Sequence, residues 1–145
     1  MGQLAQRLLD PARSGVYRAI SLPAVVEAAR EAPSLRCDEI DLGAIRTKEA
    51  LLDRMARSLA FPDWFGRNWD ALEDCLSDLS WTGAEGHVLC LKGGEALEAD
   101  DREILLDVLR AVAESWRARR RPFFAVFPDL PGPYAGLPEL HRARR

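Results

Sequence analysis

Apolar and polar positions change period several times along the chain, and each change marks an element. Val16 to Ile20, opened by Gly15, reads as a short strand. Pro23 suits the first turn of a helix that runs through Ala32, and Pro33 closes it. Cys37 to Leu42 alternates and stops at Gly43, as a strand does. Thr47 is placed to cap a helix whose Leu51, Leu52, Met55 and Leu59 form one apolar stripe, ended by Pro62. DWFGRN follows as a turn with Gly66 free to take a positive φ, and Asn68 caps a second helix from Trp69 to Leu79. His87 to Leu91 is almost continuously apolar, the pattern of a strand covered on both faces. A helix opening at Asp100 or Asp101 carries Ile104, Leu105, Val108, Leu109, Val112 and Trp116 on one side. Phe123 to Phe127 is the last strand, stopped by Pro128, and the tail beyond it reads as irregular and frayed at its basic end.

Strands alternating with helices predict an α/β fold, a small and mainly parallel β-sheet of three to four strands with helices packed on it. No repeat, low-complexity block or Gly/Ser linker divides the 145 residues, so a single domain is expected over 1–145. A 48% hydrophobic content is enough to build its core without disulfides. Cys37, Cys75 and Cys90 are an odd number at wide spacings, which suits reduced thiols in a cytoplasmic protein. No apolar run approaches the roughly 18 residues of a membrane span. The opening MGQLAQRLLDPARSG has no signal-peptide apolar region, and Gln6 stands where a myristoylation motif needs Ser or Thr.

Charge alters this picture through its distribution. The net −3 argues against a general nucleic-acid binder, and no direct nucleic-acid or membrane partner is expected. Residues 61–101, however, hold ten acidic side chains against only Arg67 and Lys92, which suggests a surface for a basic partner. Within that segment the helix WDALEDCLSDL turns Trp69, Leu72, Cys75, Leu76 and Leu79 to one face, and Asp70, Glu73, Asp74 and Asp78 to the other. Asp70/Asp74 and Asp74/Asp78 are like-charge i,i+4 pairs, each costing roughly 0.2–0.5 kcal/mol, with no cation in the helix to offset them. Two readings stay open, a solvated acidic face and a carboxylate cluster awaiting a partner's cations. Trp64 beside these acids has the composition of a binding hot spot and is open between core and surface, whereas Phe65 and Trp69 are expected in the core. Metal binding has neither EF-hand spacing nor a supporting His, so no metal and no cofactor is expected. Lys92-Gly93-Gly94 lacks phosphate-loop spacing and reads as a turn, His87 as a strand-edge residue, and Cys75 as packing. Arg117, Arg119, Arg120 and Arg121 read as a solvated helix end.

Residues 59–81, LAFPDWFGRNWDALEDCLSDLSW, resemble the signature of the barstar family of ribonuclease inhibitors. The resemblance is carried by Leu59, Pro62, Trp64, Phe65, Gly66, Asn68, Asp70, Ala71, Leu72, Asp74, Cys75 and Leu76. It implies a barstar-like core over 36–127, a strand-helix extension over 1–35 and an irregular tail over 128–145. It also implies an inhibitor, not an enzyme, that plugs the basic active site of a barnase-type ribonuclease. Asp74 then matches the central carboxylate, Asp70 its acidic neighbour, and Trp64 the contacting aromatic, with Gly66 and Asn68 in the turn that presents them. Glu73 completes the expected partner-binding set, although it stands where the archetype has a tryptophan. Arg67 stands where the archetype has an acid, and Ala111 falls near a further acidic contact. These departures bear on the identity of the target more than on the fold. A binding module for another basic protein, using the same surface, is the second reading, and a small α/β enzyme the third.

Overall fold

In a computed structural model the protein is described over residues 1–128 and 133–140. Four strands form one all-parallel sheet: β1 (Gly15–Ala19), β2 (Leu35–Leu42), β3 (Gly86–Gly93) and β4 (Phe123–Pro128). Their order across the sheet is β1-β4-β3-β2. The helices are α1 (Gln3–Leu8), α2 (Leu22–Arg30), α3 (Lys48–Ser58), α4 (Trp69–Asp78) and α5 (Ala99–Ala118), with short 3-10 turns at Pro11–Arg13 and Ser80–Thr82. The α/β class and the parallel sheet are thus as the sequence predicts.

Alternation along the strands sorts side chains onto two faces. Leu89 and Leu91 of β3, with Ile40, Leu42, Phe123, Ala125 and Phe127, join one core built with α3, α4 and α5. Val88, Cys90, Phe124 and Val126 join the other, covered by α1 and α2 through Ala5, Leu8, Val25, Val26 and Ala29. The segment before β2 therefore supplies the edge strand β1 and the helices of the second layer, where Leu140 of the tail also packs. Helix α1 is an addition to the predicted elements. Its six residues are too few for a periodic signal, and it is held by packing against α2.

Thr47 and Asn68 cap α3 and α4 as expected, accepting from Ala50 N at 3.1 Å and Ala71 N at 2.7 Å. Helix α5 begins at Ala99, with Glu98 rather than either aspartate at its N-cap position. Ile104 lies outside the buried stripe, and Leu106 and Ala113 take places in it. Ile20 falls just beyond β1 and is 72% exposed.

One further expectation is corrected. His87 is not at a strand edge but fully buried in an interior strand. Thr82 Oγ1 donates to Leu79 O at 3.0 Å and accepts from Ala84 N at 3.2 Å, so at 2.8 Å the His87 Nε2–H donates to it. This assigns the Nε2–H tautomer and leaves Nδ1 a buried acceptor without a partner among the described residues. Over 133–140 the tail forms only turns and one isolated bridge, and it is packed down there. Tyr134 stacks on Phe127 at 4.2 Å and donates to Gly93 O at 2.9 Å, while Leu137 and Leu140 are buried. Arg18 N donates to Pro138 O and Leu140 N to Arg18 O, so the tail covers the free edge of β1. The fraying expected at the basic end of the tail, His141 included, falls outside the described residues. At the opposite edge β2 has no second partner strand among the described residues, and its Arg36, Asp38, Glu39 and Asp41 carry the charge there.

The same tail explains Lys92-Gly93-Gly94 without a ligand. Gly93 and Gly94 have φ of 88° and 99°, the backbone of Gly43 lies against the first, and a Cβ on the second would run into the Tyr134 hydroxyl. Tyr134→Phe removes the bond to Gly93 and is expected to cost about 1 kcal/mol in urea unfolding. Gly94→Ala is expected to destabilise more in the wild type than in Tyr134→Phe, where the clashing oxygen is gone. Equal costs in both backgrounds would show that the tail does not set the glycine requirement.

Burial pushes the His87 pKa from 6.5 down to about 4, with Arg36 adding to the shift and Asp38 opposing it. The neutral ring therefore contributes stability that is full above pH 6.5 and is lost as pH falls toward 4. As pH falls from 6.5 to 5, the extra proton uptake of wild-type unfolding over that of His87→Gln is expected to rise from about half a proton to nearly one. Parallel stability–pH curves for the two proteins there would refute the assignment.

Candidate functional site

Helix α3 ends with Ala60 in the left-handed region, φ 54°, and Phe61 N returns to Ala56 O at 2.9 Å. The chain then enters the Pro62–Asn68 loop over an aromatic base. Phe61 meets Phe65 edge-on at 4.9 Å and Trp81 at 6.0 Å, and Trp81 Nε1 donates to Leu59 O at 2.9 Å. Phe65 and Trp69 pack partly buried against the core, as expected. Trp64, left open by the sequence, points away from this base and is 65% exposed. One aromatic of the loop is thus held in water while its neighbours anchor the loop.

The predicted positive φ at Gly66 falls one residue later. Arg67 has φ 56°, whereas a Cβ on Gly66 would make only ordinary contacts, with Asn68 Nδ2 at 3.4 Å and the Ala71 Cβ at 3.6 Å. Asn68 serves twice: its side-chain oxygen caps α4, and its amide nitrogen donates to Gly66 O at 3.3 Å. Arg67 is turned back toward α3, where it pairs with Asp53 at 3.2 Å.

Helix α4 buries Leu72, Cys75 and Leu76 and exposes Asp70, Asp74 and Asp78. Glu73, grouped with these acids by periodicity, is half-buried at the border of the two faces. No ion pair engages Asp70, Glu73, Asp74 or Asp78 among the described residues. Burial raises the pKa of the Cys75 thiol, with Asp74 and Asp78 adding to the effect. A thiol kept protonated on the packed face is a core group.

The far end of α4 is fixed by α5. Trp116 Nε1 donates to Leu76 O at 2.9 Å, and the Arg119 guanidinium lies 4.5 Å above the Trp116 ring while bonding Ser77 O. These bonds take up carbonyls that a helix end otherwise leaves open. Leu79 then leaves the helix with φ 46°. Ala111, on the same α5, is exposed and supplies no charge. The result is a rigid ridge: an exposed indole at the loop and three unpaired carboxylates along one helix face. Such a ridge can accept charge-assisted hydrogen bonds from cations brought to it. No cluster of three or more His, Cys, Asp or Glu side chains among the described residues is arranged to hold a metal ion. No helix among them is long and apolar enough to cross a membrane.

Sixteen solved chains resemble this one in structure, among them the ORC2 protein of Aeropyrum pernix in its ADPNP–ADP complexes. That match is 15% identical, with a TM-score of 0.49 over 79% of this chain and 35% of the other. This chain thus spans about a third of that protein, and a likeness so loose says nothing of function. No curated protein matches the sequence. Residues 35–128, from the first residue of β2 to the last of β4, match the family described as Barstar (barnase inhibitor). With more than half its length inside that match, the chain belongs to the barstar family.

Proposed function

We propose that the chain is a non-catalytic protein inhibitor of a basic, barnase-type ribonuclease, acting inside the cell. Trp64, Gly66, Asn68, Asp70, Glu73 and Asp74 form its contact surface. The observation that carries this reading is the row of exposed, unpaired carboxylates at Asp70, Asp74 and Asp78 beside an exposed Trp64. Like-charge neighbours on one helix face raise the energy of the free protein, and a basic partner relieves them on binding. A ribonuclease cleft holds cationic groups to grip phosphate, and Asp74 at the middle of the ridge can take the place of that phosphate. Membership of the barstar family supports the same partner class. Inhibition then needs no cofactor, because the ridge excludes substrate by occupying its site. The surrounding acidic segment steers a basic enzyme toward contact. A different basic protein bound by the same ridge is the alternative, favoured by the departures at Glu73 and Ala111.

Titration into a barnase-type ribonuclease assay separates the two. Saturating inhibition near one equivalent is expected, weakened about tenfold or more by Asp74→Ala and less by Asp70→Ala. Added salt is expected to weaken it further, whereas Glu27→Ala, on α2 behind the sheet, leaves it unchanged. Absence of inhibition at micromolar protein would reject this enzyme as the target. Capture of another basic protein by wild type but not by Asp74→Ala would then support the alternative.

A further inference from the structure

Beside the acidic ridge lies a small surplus of positive charge. Asp53, on α3, accepts from Arg57 at 3.0 Å and from Arg67 at 3.2 Å, so two guanidinium groups share one carboxylate. The Arg67 side chain is 65% exposed and the Asp53 side chain 31%. Asp63, in the same loop, makes no ion pair with either arginine. One edge of the Arg67 guanidinium therefore keeps free N–H donors facing water. Its backbone lies between Gly66 and Asn68 of the contact surface proposed above, and its side chain, turned toward Asp53 of α3, borders that surface. Its left-handed backbone and its bond to Asp53 hold it there. A partner that covers Trp64 to Asn68 must cover Arg67 too. A partner basic throughout would press like charge on an incompletely paired cation, a cost the ridge carboxylates would have to overcome.

We propose that the partner's basic site is bordered by a carboxylate that meets Arg67, making Arg67 a specificity-determining residue and Asp53 the residue that positions it. The inference rests on the ribonuclease-inhibitor reading. The recognised surface is then bipolar, with partner cations on Asp70 and Asp74 and a partner acid on Arg67. Such a pattern discriminates among basic enzymes that the acidic ridge alone would not tell apart.

The probe is a barnase-type ribonuclease and a series of its variants. In each variant, one exposed Lys or Arg bordering the active-site cleft is replaced by Glu. Dissociation constants are measured against wild type, Arg67→Gln, Asp53→Asn and Asp74→Ala, each checked for an unchanged melting temperature. At one border position the glutamate is expected to tighten binding to wild type about two- to fivefold. That gain is expected to vanish in Arg67→Gln and to shrink in Asp53→Asn, which frees the Arg67 guanidinium to swing out of place. If every glutamate changes binding to wild type and to Arg67→Gln by the same factor, the inference is overturned while Asp74-dependent binding stands. Failure to bind the native probe, or binding indifferent to Asp74→Ala, overturns the inhibitor reading and this inference with it.

Discussion

Parallel strands can be joined only by crossovers, and crossovers are right-handed almost without exception. In a sheet ordered β1-β4-β3-β2, the link from β1 to β2 runs across the sheet in one direction, and the links from β2 through β3 to β4 run back. Links of one hand running in opposite directions must lie on opposite faces. That is the arrangement found, with α2 on one face and α3, α4 and α5 on the other. The constraint gathers the three helices that build and hold the acidic ridge into one layer. It leaves the N-terminal segment to cover the other face. The near-continuous apolar run of β3 is the sequence trace of a strand buried from both sides.

Within that layer, the ridge is stiff at its base and free at its surface. The loop rests on Phe61, Phe65 and Trp81, and the last carbonyls of α4 are taken by Trp116 and Arg119 from α5. Ring contacts pass from Trp116 to His87 at 5.1 Å and Phe123 at 6.1 Å, so α4 is referenced to two interior strands. A surface held in this way loses little freedom when covered, which favours tight association for a modest area.

Much of this was legible in the residues because local chemistry decided it. Thr47 and Asn68 cap their helices, and the face of α4 that is apolar in sequence is the face that is buried. What was illegible depended on distant partners. The left-handed φ went to Arg67 rather than Gly66, where tethering to Asp53, 14 residues away, accompanies it. His87 looks like an edge residue by polarity alone, since the packing that buries it comes from Trp116 far along the chain, although the Thr82 hydroxyl on one nitrogen is only five residues away. Tyr134, Leu137 and Leu140 sit among prolines and glycines with no period. Their role appears only once β1 has an edge to cover and Gly94 a space to fill. Among the candidate residues, the exposure of Trp64 was open because nearby aromatics were equally fit for the core, and Glu73, grouped with the exposed acids by period, lies half-buried at the border.

The two edges of the sheet have different consequences for how copies of the protein behave when crowded together. The tail covers the β1 edge at Arg18, whereas β2 has no second partner strand among the described residues. Pairing two such edges would bring Asp38, Glu39 and Asp41 of one copy close to the same residues of another. Glu39 and Asp41, beside an Asp38 already paired with Arg36 at 3.0 Å, make that approach unfavourable and leave water as the better partner. The charges on β2 thus disfavour edge-to-edge pairing between copies into a continuous sheet.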